Sequence, residues 1–228
     1  ERFGTAGTIN GPLLSSTNST INITGDGNLL WLNDGTSLTR TGTGTGATFQ
    51  FTGGTLNVPS ETILIRPGAT LSLNNPLLAA TGTTFNLGTE SNTVDPALVI
   101  TAAGGLGGTL TSTTTNPLLS FNGGSLTTQA GEDLIHVGRN PGDGTATLTT
   151  NGPLVQLQNI APGTFTIGSG TVLSITGGAT VTVGGPLLDL TNSTVTIPQS
   201  LFSFIGNSTV PVNNSLLRMT GGSLSIGQ

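Results

Sequence analysis

Short segments in which apolar and polar residues alternate recur along the whole chain. In each copy two apolar residues flank one variable residue, as in Leu119-Ser120-Phe121 and Leu188-Asp189-Leu190. A Gly or Asn turn follows, and then Thr alternates with aliphatic residues, as in Thr180-Val181-Thr182-Val183. Successive side chains of a strand point to opposite faces, so this period of two predicts short β-strands with one buried face.

The segments repeat about thirteen times at intervals of roughly 14 to 21 residues, which is typical of stacked coils. Gly-Gly pairs at 53–54, 123–124, 177–178 and 221–222 mark turns, because glycine tolerates positive φ. No segment has apolar residues at helical spacing. We therefore predict an all-β fold with one domain over residues 1–228, a single right-handed parallel β-helix of about thirteen short coils. At ~4.8 Å per coil the rod would be roughly 60 Å long.

Composition argues against several classes of function. Charged residues make up 7% of the 228 residues, lysine is absent and the net charge is −5, so no cationic surface is available for nucleic acid. No apolar run approaches the ~20 residues that membrane insertion requires. The absence of cysteine excludes disulfides and thiolate metal sites. Together with abundant Thr, Asn and Gly, these features favour an extracellular, cell-surface protein.

Several segments resemble a known class of bacterial surface β-solenoids. Gly-Gly-Ser-Leu-Thr-Thr at 123–128, Gly-Gly-Ala-Thr-Val-Thr-Val at 177–183 and the Pro-Leu-Leu strand starts are similar to the filamentous haemagglutinin and autotransporter passenger type. This resemblance extends over nearly the whole chain. It implies an exported stalk or adhesive shaft, and it carries over no catalytic residue and no cofactor.

The function that we predict is a non-catalytic structural and adhesive segment of an extracellular bacterial surface protein or filament. Its partners would be other copies stacked end to end or flanking repeats of the same chain, with glycans or surfaces as further ligands. Two alternatives remain open: a polysaccharide-binding or polysaccharide-cleaving β-helix, and an ice-binding solenoid. No nucleic acid and no membrane insertion are expected.

Reactive side chains are densest around the only histidine. Glu132, Asp133, His136, Arg139 and Asp143 lie close together in the sequence, with His136 in the outward position of its strand. A hydrolase or lyase would use such acids and Arg139 around a sugar. The interpretation that we favour is a solvated loop, so we predict no enzyme. Isolated Asp-Gly turns do not supply the six to eight oxygens of a calcium site, and no metal is expected.

Two further surface features are candidates for contact with a ligand. Trp31, the only tryptophan, lies outward between Leu30 and Leu32, where it could stack on a sugar or cover the end of the rod, and we favour covering. Outward hydroxyl pairs form a predicted flat array over about six coils. These pairs are Thr109/Thr111, Ser125/Thr127, Thr147/Thr149, Thr164/Thr166, Thr180/Thr182 and Thr194/Thr196. Ice-binding β-solenoids resemble this array, but threonine also simply suits an exposed strand, and that interpretation is favoured.

Overall fold

The computed structural model describes residues 5–42, 46–88, 96–129, 131–138, 144–211 and 213–227. Within these ranges the chain forms β-strands and turns and no helix, and almost every strand pair is parallel. The predicted all-β solenoid of stacked parallel coils is therefore confirmed. Since the described residues contain no helix, they also contain none with the length and hydropathy needed to cross a membrane.

Each coil places strands on four faces, numbered here in the order in which the chain visits them. Face 1 consists of β1 (Ala6–Ile9), β5 (Ser37–Arg40), β9 (Thr70–Leu73), β15 (Thr109–Ser112), β19 (Thr147–Thr150) and β23 (Thr180–Val183). Face 2 consists of β2 (Leu14–Thr17), β6 (Phe49–Thr52), β10 (Leu78–Thr81), β16 (Leu119–Asn122) and β20 (Val155–Gln158).

Face 3 consists of β3 (Thr20–Asn22), β7 (Thr55–Val58), β11 (Thr84–Leu87), β17 (Ser125–Thr128) and β21 (Phe165–Thr166). The long strands β24 (Leu188–Ile197) and β26 (Leu217–Ile226) run through faces 2 and 3. Face 4 consists of β4 (Leu30–Leu32), β8 (Ile63–Ile65), β12 (Leu98–Ile100), β18 (Ile135–Val137), β22 (Leu173–Ile175) and β25 (Phe202–Phe204). An antiparallel hairpin, β13 (Ala102–Ala103) with β14 (Leu106–Gly107), is inserted after β12.

One coil uses two of the sequence repeats, so the predicted number of coils is wrong. Faces 2 and 3 form one repeat and faces 4 and 1 form the next. Side chains that meet across adjoining coils are 29 residues apart for Asn57 and Asn86 and 41 residues apart for Thr84 and Ser125. Among the described residues faces 1 and 4 each contain six strands, so the stack that they form has about six coils and a length of about 30 Å. The two repeats of a coil have the same inward and outward pattern, and only strand pairing distinguishes them.

The core consists of columns in which each side chain packs on its equivalent in the next coil. On face 1, Leu71, Leu110, Leu148 and Val181 lie in register and are fully buried. Aromatic rings also pack across the interior: the ring of Phe85 meets those of Phe51 and Phe121 edge to face, each at 5.5 Å between centroids. Such columns bury apolar surface without a wide core, because every coil covers the coil beneath it.

The corner between faces 2 and 3 requires the same backbone conformation in every coil. Residues with positive φ stack there: Asn18, Gly53, Gly82, Gly123, Asn159, Asn192 and Gly221. Only glycine, and to a lesser extent asparagine, adopts this left-handed region without strain. This requirement is the physical reason for the Asn turns and for the Gly-Gly pairs at 53–54, 123–124 and 221–222, whereas the pair at 177–178 lies between faces 4 and 1.

One inward position of face 1 holds a charged residue. Arg40 is paired in register with Leu73 and is 2% exposed. Its Nη1 donates to Thr48 Oγ1 at 3.1 Å and its Nη2 donates to the carbonyl of Gly46 at 2.7 Å. Burial lowers the pKa of Arg40. Two hydrogen bonds to neutral oxygens therefore hold the guanidinium inside the solenoid wall.

Truncating a central core column should destabilise the chain far more than truncating the outward side of the same strand. We expect Leu148→Ala to lower the free energy of unfolding by about 2–5 kcal/mol, since the coils on either side prevent the cavity from closing. Thr149→Ala, one residue away and outward, should cost within about 1 kcal/mol. Urea denaturation followed by circular dichroism measures both variants. Equal losses would contradict the described alternation of inward and outward side chains.

Candidate functional site

The threonines predicted to form one flat array lie on two faces. Face 1 carries Thr109, Thr111, Thr149, Thr180 and Thr182. Face 3 carries Thr127, Thr166, Thr194 and Thr196, and Thr164 immediately precedes its strand β21. Successive repeats alternate between the two faces, so the residues expected in one six-coil array form two separate arrays.

Face 1 presents the more regular hydroxyl array. Two hydroxyls from each of five consecutive strands lie in register: Ser37/Thr39, Thr70/Ser72, Thr109/Thr111, Thr147/Thr149 and Thr180/Thr182. Neighbours are ~4.8 Å apart between coils and about 6.6 Å apart along a strand, as strand geometry dictates. The result is a rectangular lattice of hydroxyl groups on one side of the rod.

On face 3 the outward polar groups bond to one another instead. The amide of Asn57 donates to Asn22 Oδ1 at 2.5 Å, and that of Asn86 donates to Asn57 Oδ1 at 2.7 Å. Further along, Ser125 Oγ donates to Thr84 Oγ1 at 3.2 Å. These bonds tie adjacent coils together, and they engage part of the hydrogen-bonding capacity of face 3.

Face 4 departs from the threonine pattern. Its outward row runs Trp31, Leu64, Val99 and His136 in register from coil to coil. Trp31 is 57% exposed at the first strand of the face, whereas Leu64 and Val99 are buried although they lie on the outer side of the sheet. The outer surface of face 4 therefore has an apolar floor, which faces 1 and 3 lack.

Ionisable side chains also gather on face 4. Those among the described residues are Asp34, Glu61, Arg66, Asp133 and His136. They flank the outward row, because Glu61 and Asp133 precede their strands and Arg66 follows its strand directly. In a chain with so few charges, this concentration distinguishes face 4 as the candidate functional site.

The histidine is held at both ring nitrogens. Its Nδ1 lies 3.3 Å from Asp133 Oδ2, and its Nε2 lies 3.2 Å from Thr176 Oγ1, in the next coil. Asp133 Oδ1 in turn accepts hydrogen bonds from the backbone and the hydroxyl of Thr171, both at 2.8 Å. This chain of contacts fixes the imidazole plane and places a hydroxyl next to it, which is an arrangement suited to proton transfer or to rigid ligand recognition.

The Asp133 carboxylate, which contacts the histidine, is kept ionised. Burial raises the pKa of Asp133, but hydrogen bonds from His136 and Thr171 together outweigh that effect, so the pKa lies below its ordinary value of 3.8. Of the other residues predicted to cluster here, Glu132 is 1% exposed. Arg139 and Asp143 lie outside the described residues. The cluster that the structure describes is therefore Asp133, His136 and Thr176 with Thr171.

A groove of about 430 Å³ lies on face 4 beside the histidine. It is lined by Glu61, Leu64, Arg66, Pro96, Val99, Thr101, His136 and Gly138. Glu61 Oε2 accepts hydrogen bonds from Ser60 Oγ at 2.6 Å and from the Asn28 amide at 3.2 Å. Arg66 Nε lies 3.7 Å from Asp34 Oδ1 and makes no hydrogen bond. The groove thus has the Glu61 carboxylate on one side of Leu64 and the Arg66 guanidinium on the other.

Sequence reasoning missed most of this groove. It named Trp31 and His136 separately, and it did not connect them with Glu61, Leu64 or Arg66. Trp31, Leu64 and His136 come together because strand pairing aligns equivalent positions of successive coils. Those positions are separated in the sequence by about twice the interval of the repeat. Comparing every second repeat, rather than adjacent repeats, is the signal that would have aligned them.

A second polar cluster lies on face 2. Arg218 binds Asp189 through two hydrogen bonds, Nε to Oδ1 at 2.8 Å and Nη2 to Oδ2 at 2.6 Å, and Gln156 adds a third at 2.9 Å. Asp189 is 1% exposed. The hydrogen bonds from Arg218 lower the pKa of Asp189 most, against the opposing effect of burial, so it lies below 3.8. This pair connects β24 to β26.

Comparison of the chain with family models, with curated proteins and with solved structures returns no match. In the described part of the chain, no group of three or more His, Cys, Asp or Glu side chains is placed to hold a metal ion. The interpretation of the site therefore depends on its geometry.

The Asp189–Arg218 pair should make the attachment of β26 depend on pH. Because the pKa of Asp189 is lowered in the folded state, its stabilisation is present above the unfolded pKa near 3.8 and is lost as the pH falls through the lower folded value. We expect Arg218→Gln to speed amide exchange in Leu217–Thr220 at neutral pH, and to change it progressively less below pH ~4. Hydrogen exchange of both proteins across this range measures the effect, and a difference independent of pH would contradict it.

Proposed function

We propose that the chain is a non-catalytic structural and adhesive segment of an extended bacterial surface protein or filament. The observation that carries this proposal is the stacking of apolar side chains on their equivalents from coil to coil through about six coils. Parallel ladders and buried columns of this kind resist bending and unfolding, as a shaft requires. The hydroxyl-rich outer faces supply polar surface without the fixed charges that would impose one type of partner.

The end coils support an assembly role. In the last described coil, Met219 and Ile226 lie in register with Leu190 and Ile197, which are buried, yet they are themselves exposed. Phe204 is exposed in the same way on face 4. A parallel strand without a neighbour also leaves backbone donors and acceptors unpaired. We propose that further coils cover these surfaces, supplied by another copy or by flanking repeats.

We further propose that this segment belongs to a known type of bacterial surface solenoid. The Gly-Gly turns and Pro-Leu-Leu strand starts favour the filamentous haemagglutinin and autotransporter passenger type, and hence an extracellular, cell-surface location. The lack of cysteine and lysine and the low charge content agree with that location. A shaft of this type would meet glycans and abiotic or host surfaces along its sides.

End-to-end stacking should be measurable in solution. We expect the average mass from light scattering to rise with protein concentration, because stacking buries the exposed side chains of the last described coil. Ile226→Glu should suppress this rise by burying a charge in the contact. Ser225→Glu, an outward neighbour in the same strand, is the matched control and should leave the rise unchanged.

Two results would count against these proposals. A constant monomer mass for the unaltered chain would contradict stacking of copies. In that case flanking repeats of the same chain would have to cover the end coils. Specific turnover of a polysaccharide that is abolished by His136→Ala would contradict the non-catalytic role. Electron microscopy of concentrated samples gives an independent test of stacking, since filaments should be absent for Ile226→Glu.

A second candidate function, ice binding, is favoured by the regular hydroxyl lattice of face 1. If that lattice orders water, the chain should show thermal hysteresis, and Thr111→Leu with Thr149→Leu should remove it by interrupting the centre of the lattice. Thr127→Leu on face 3 is the control and should have little effect. A freezing-point difference equal to that of buffer would eliminate this function.

A further inference from the structure

We propose that face 4 binds a neutral oligosaccharide along the axis of the rod, in the groove beside His136 and on Trp31, which adjoins the groove residue Leu64 in the neighbouring coil. The floor would be Leu64 and Val99, and Glu61 and Arg66 would bind hydroxyl groups from the two sides. This inference deepens the adhesive part of the proposed function and rests on it. It assigns the adhesive role to face 4 and names neutral oligosaccharides as the class of ligand.

The shape of the groove fits an extended, narrow ligand. Trp31, Leu64, Val99 and His136 follow one another in adjoining coils, so the row spans three coil spacings, or about 14 Å. A chain of sugar rings laid along this row would advance by nearly one ring per coil. The volume of about 430 Å³ accommodates a short oligosaccharide but is narrow for a folded partner.

The chemistry of the groove fits a sugar because its floor and its walls differ. A pyranose ring has an apolar face of C–H groups and a polar edge of hydroxyls. Leu64 and Val99 line the groove but are only 7% and 6% exposed, so they offer a narrow apolar strip to the first. Trp31, which is 57% exposed, offers an aromatic surface on which a ring can stack. Pockets that recognise small polar molecules commonly combine an apolar lining with a few oriented polar groups.

The polar groups at the walls are held in place. Asn28 and Ser60 orient the Glu61 carboxylate, which is an acceptor for hydroxyl donors. The Arg66 side chain is 41% exposed, so the outer nitrogens of its guanidinium can donate to a ligand oxygen. At the far end, His136 is fixed by Asp133 and Thr176. Groups oriented in advance lose little conformational entropy on binding.

The charges around the groove favour a neutral ligand. The carboxylates of Asp34, Glu61 and Asp133 surround it, with one arginine, Arg66, to oppose them. An anionic polysaccharide or a nucleic acid would meet repulsion from these carboxylates. A neutral chain avoids this repulsion, and its hydroxyls can both donate to carboxylates and accept from arginine.

The test uses a probe that the chain already contains. The chain has one tryptophan and no tyrosine, so its tryptophan emission reports on face 4 alone. Neutral oligosaccharides of about six residues, from the gluco-, manno-, xylo- and N-acetylglucosamine series, are titrated into the full chain. We expect a saturable change in emission with at least one series. Titration calorimetry should then show at least tenfold weaker binding for Trp31→Ala and for Arg66→Gln, both at exposed side chains.

Thr147→Ala on face 1 is the matched control and should bind as tightly as the unaltered chain. Val99→Thr keeps the shape of the floor and removes part of its apolar character, so it should weaken binding without unfolding the chain. No binding of any series up to millimolar concentration, binding that survives Trp31→Ala with Arg66→Gln, or tighter binding of an acidic oligosaccharide would each overturn the proposal. The stacking measured by light scattering is a separate readout, so a failed sugar site and a failed shaft give different results.

Discussion

The fold depends on the in-register stacking of parallel strands, in which each inward side chain packs on the equivalent residue of the next coil. Backbone hydrogen bonds run between coils and the apolar columns run in the same direction, so both act between the same neighbours. One coil by itself buries little apolar surface, and each added coil covers the last. This constraint explains why Leu, Ile, Val and Phe recur at inward positions and why the left-handed corner recurs at Asn and Gly.

Within this constraint most inner positions are apolar and the outer positions are free to differ. Arg40 is a charged departure on the inner side, and it is tolerated because Thr48 and Gly46 satisfy two of its donors. Ser112 and Thr150 are polar departures in the same column. On the outer side the faces have separate characters. Face 1 is a hydroxyl lattice, face 3 is tied by amides and hydroxyls, face 2 carries the Asp189–Arg218 pair, and face 4 carries the aromatic, apolar and ionisable groups.

Face 4 illustrates how a solenoid can build a site without a cavity in its core. Residues about 35 positions apart become neighbours at one coil spacing, so a single substitution in each coil assembles a row of chemically different side chains. His136 and Thr176 are joined in this way across two coils, whereas Asp133 reaches His136 within one coil. Glu61 and Arg66 flank Leu64 within a single coil, and strand pairing brings them to the same groove as His136. The rigidity of the ladder then orients these groups without a special loop.

The alternation of apolar and polar residues by itself determined the all-β class, the inward and outward side of most strand positions and the Gly and Asn corners, because these depend on local backbone geometry. It also singled out Trp31 and His136 as unusual outward residues. It did not determine the number of strands in a coil, since two consecutive repeats present the same local pattern. Only the tertiary pairing of every second repeat decided that about thirteen repeats make about six coils and that the threonines divide between two faces. The same pairing brought His136 together with Glu61, Arg66 and Thr176, because contacts between coils are set by strand register rather than by proximity in sequence.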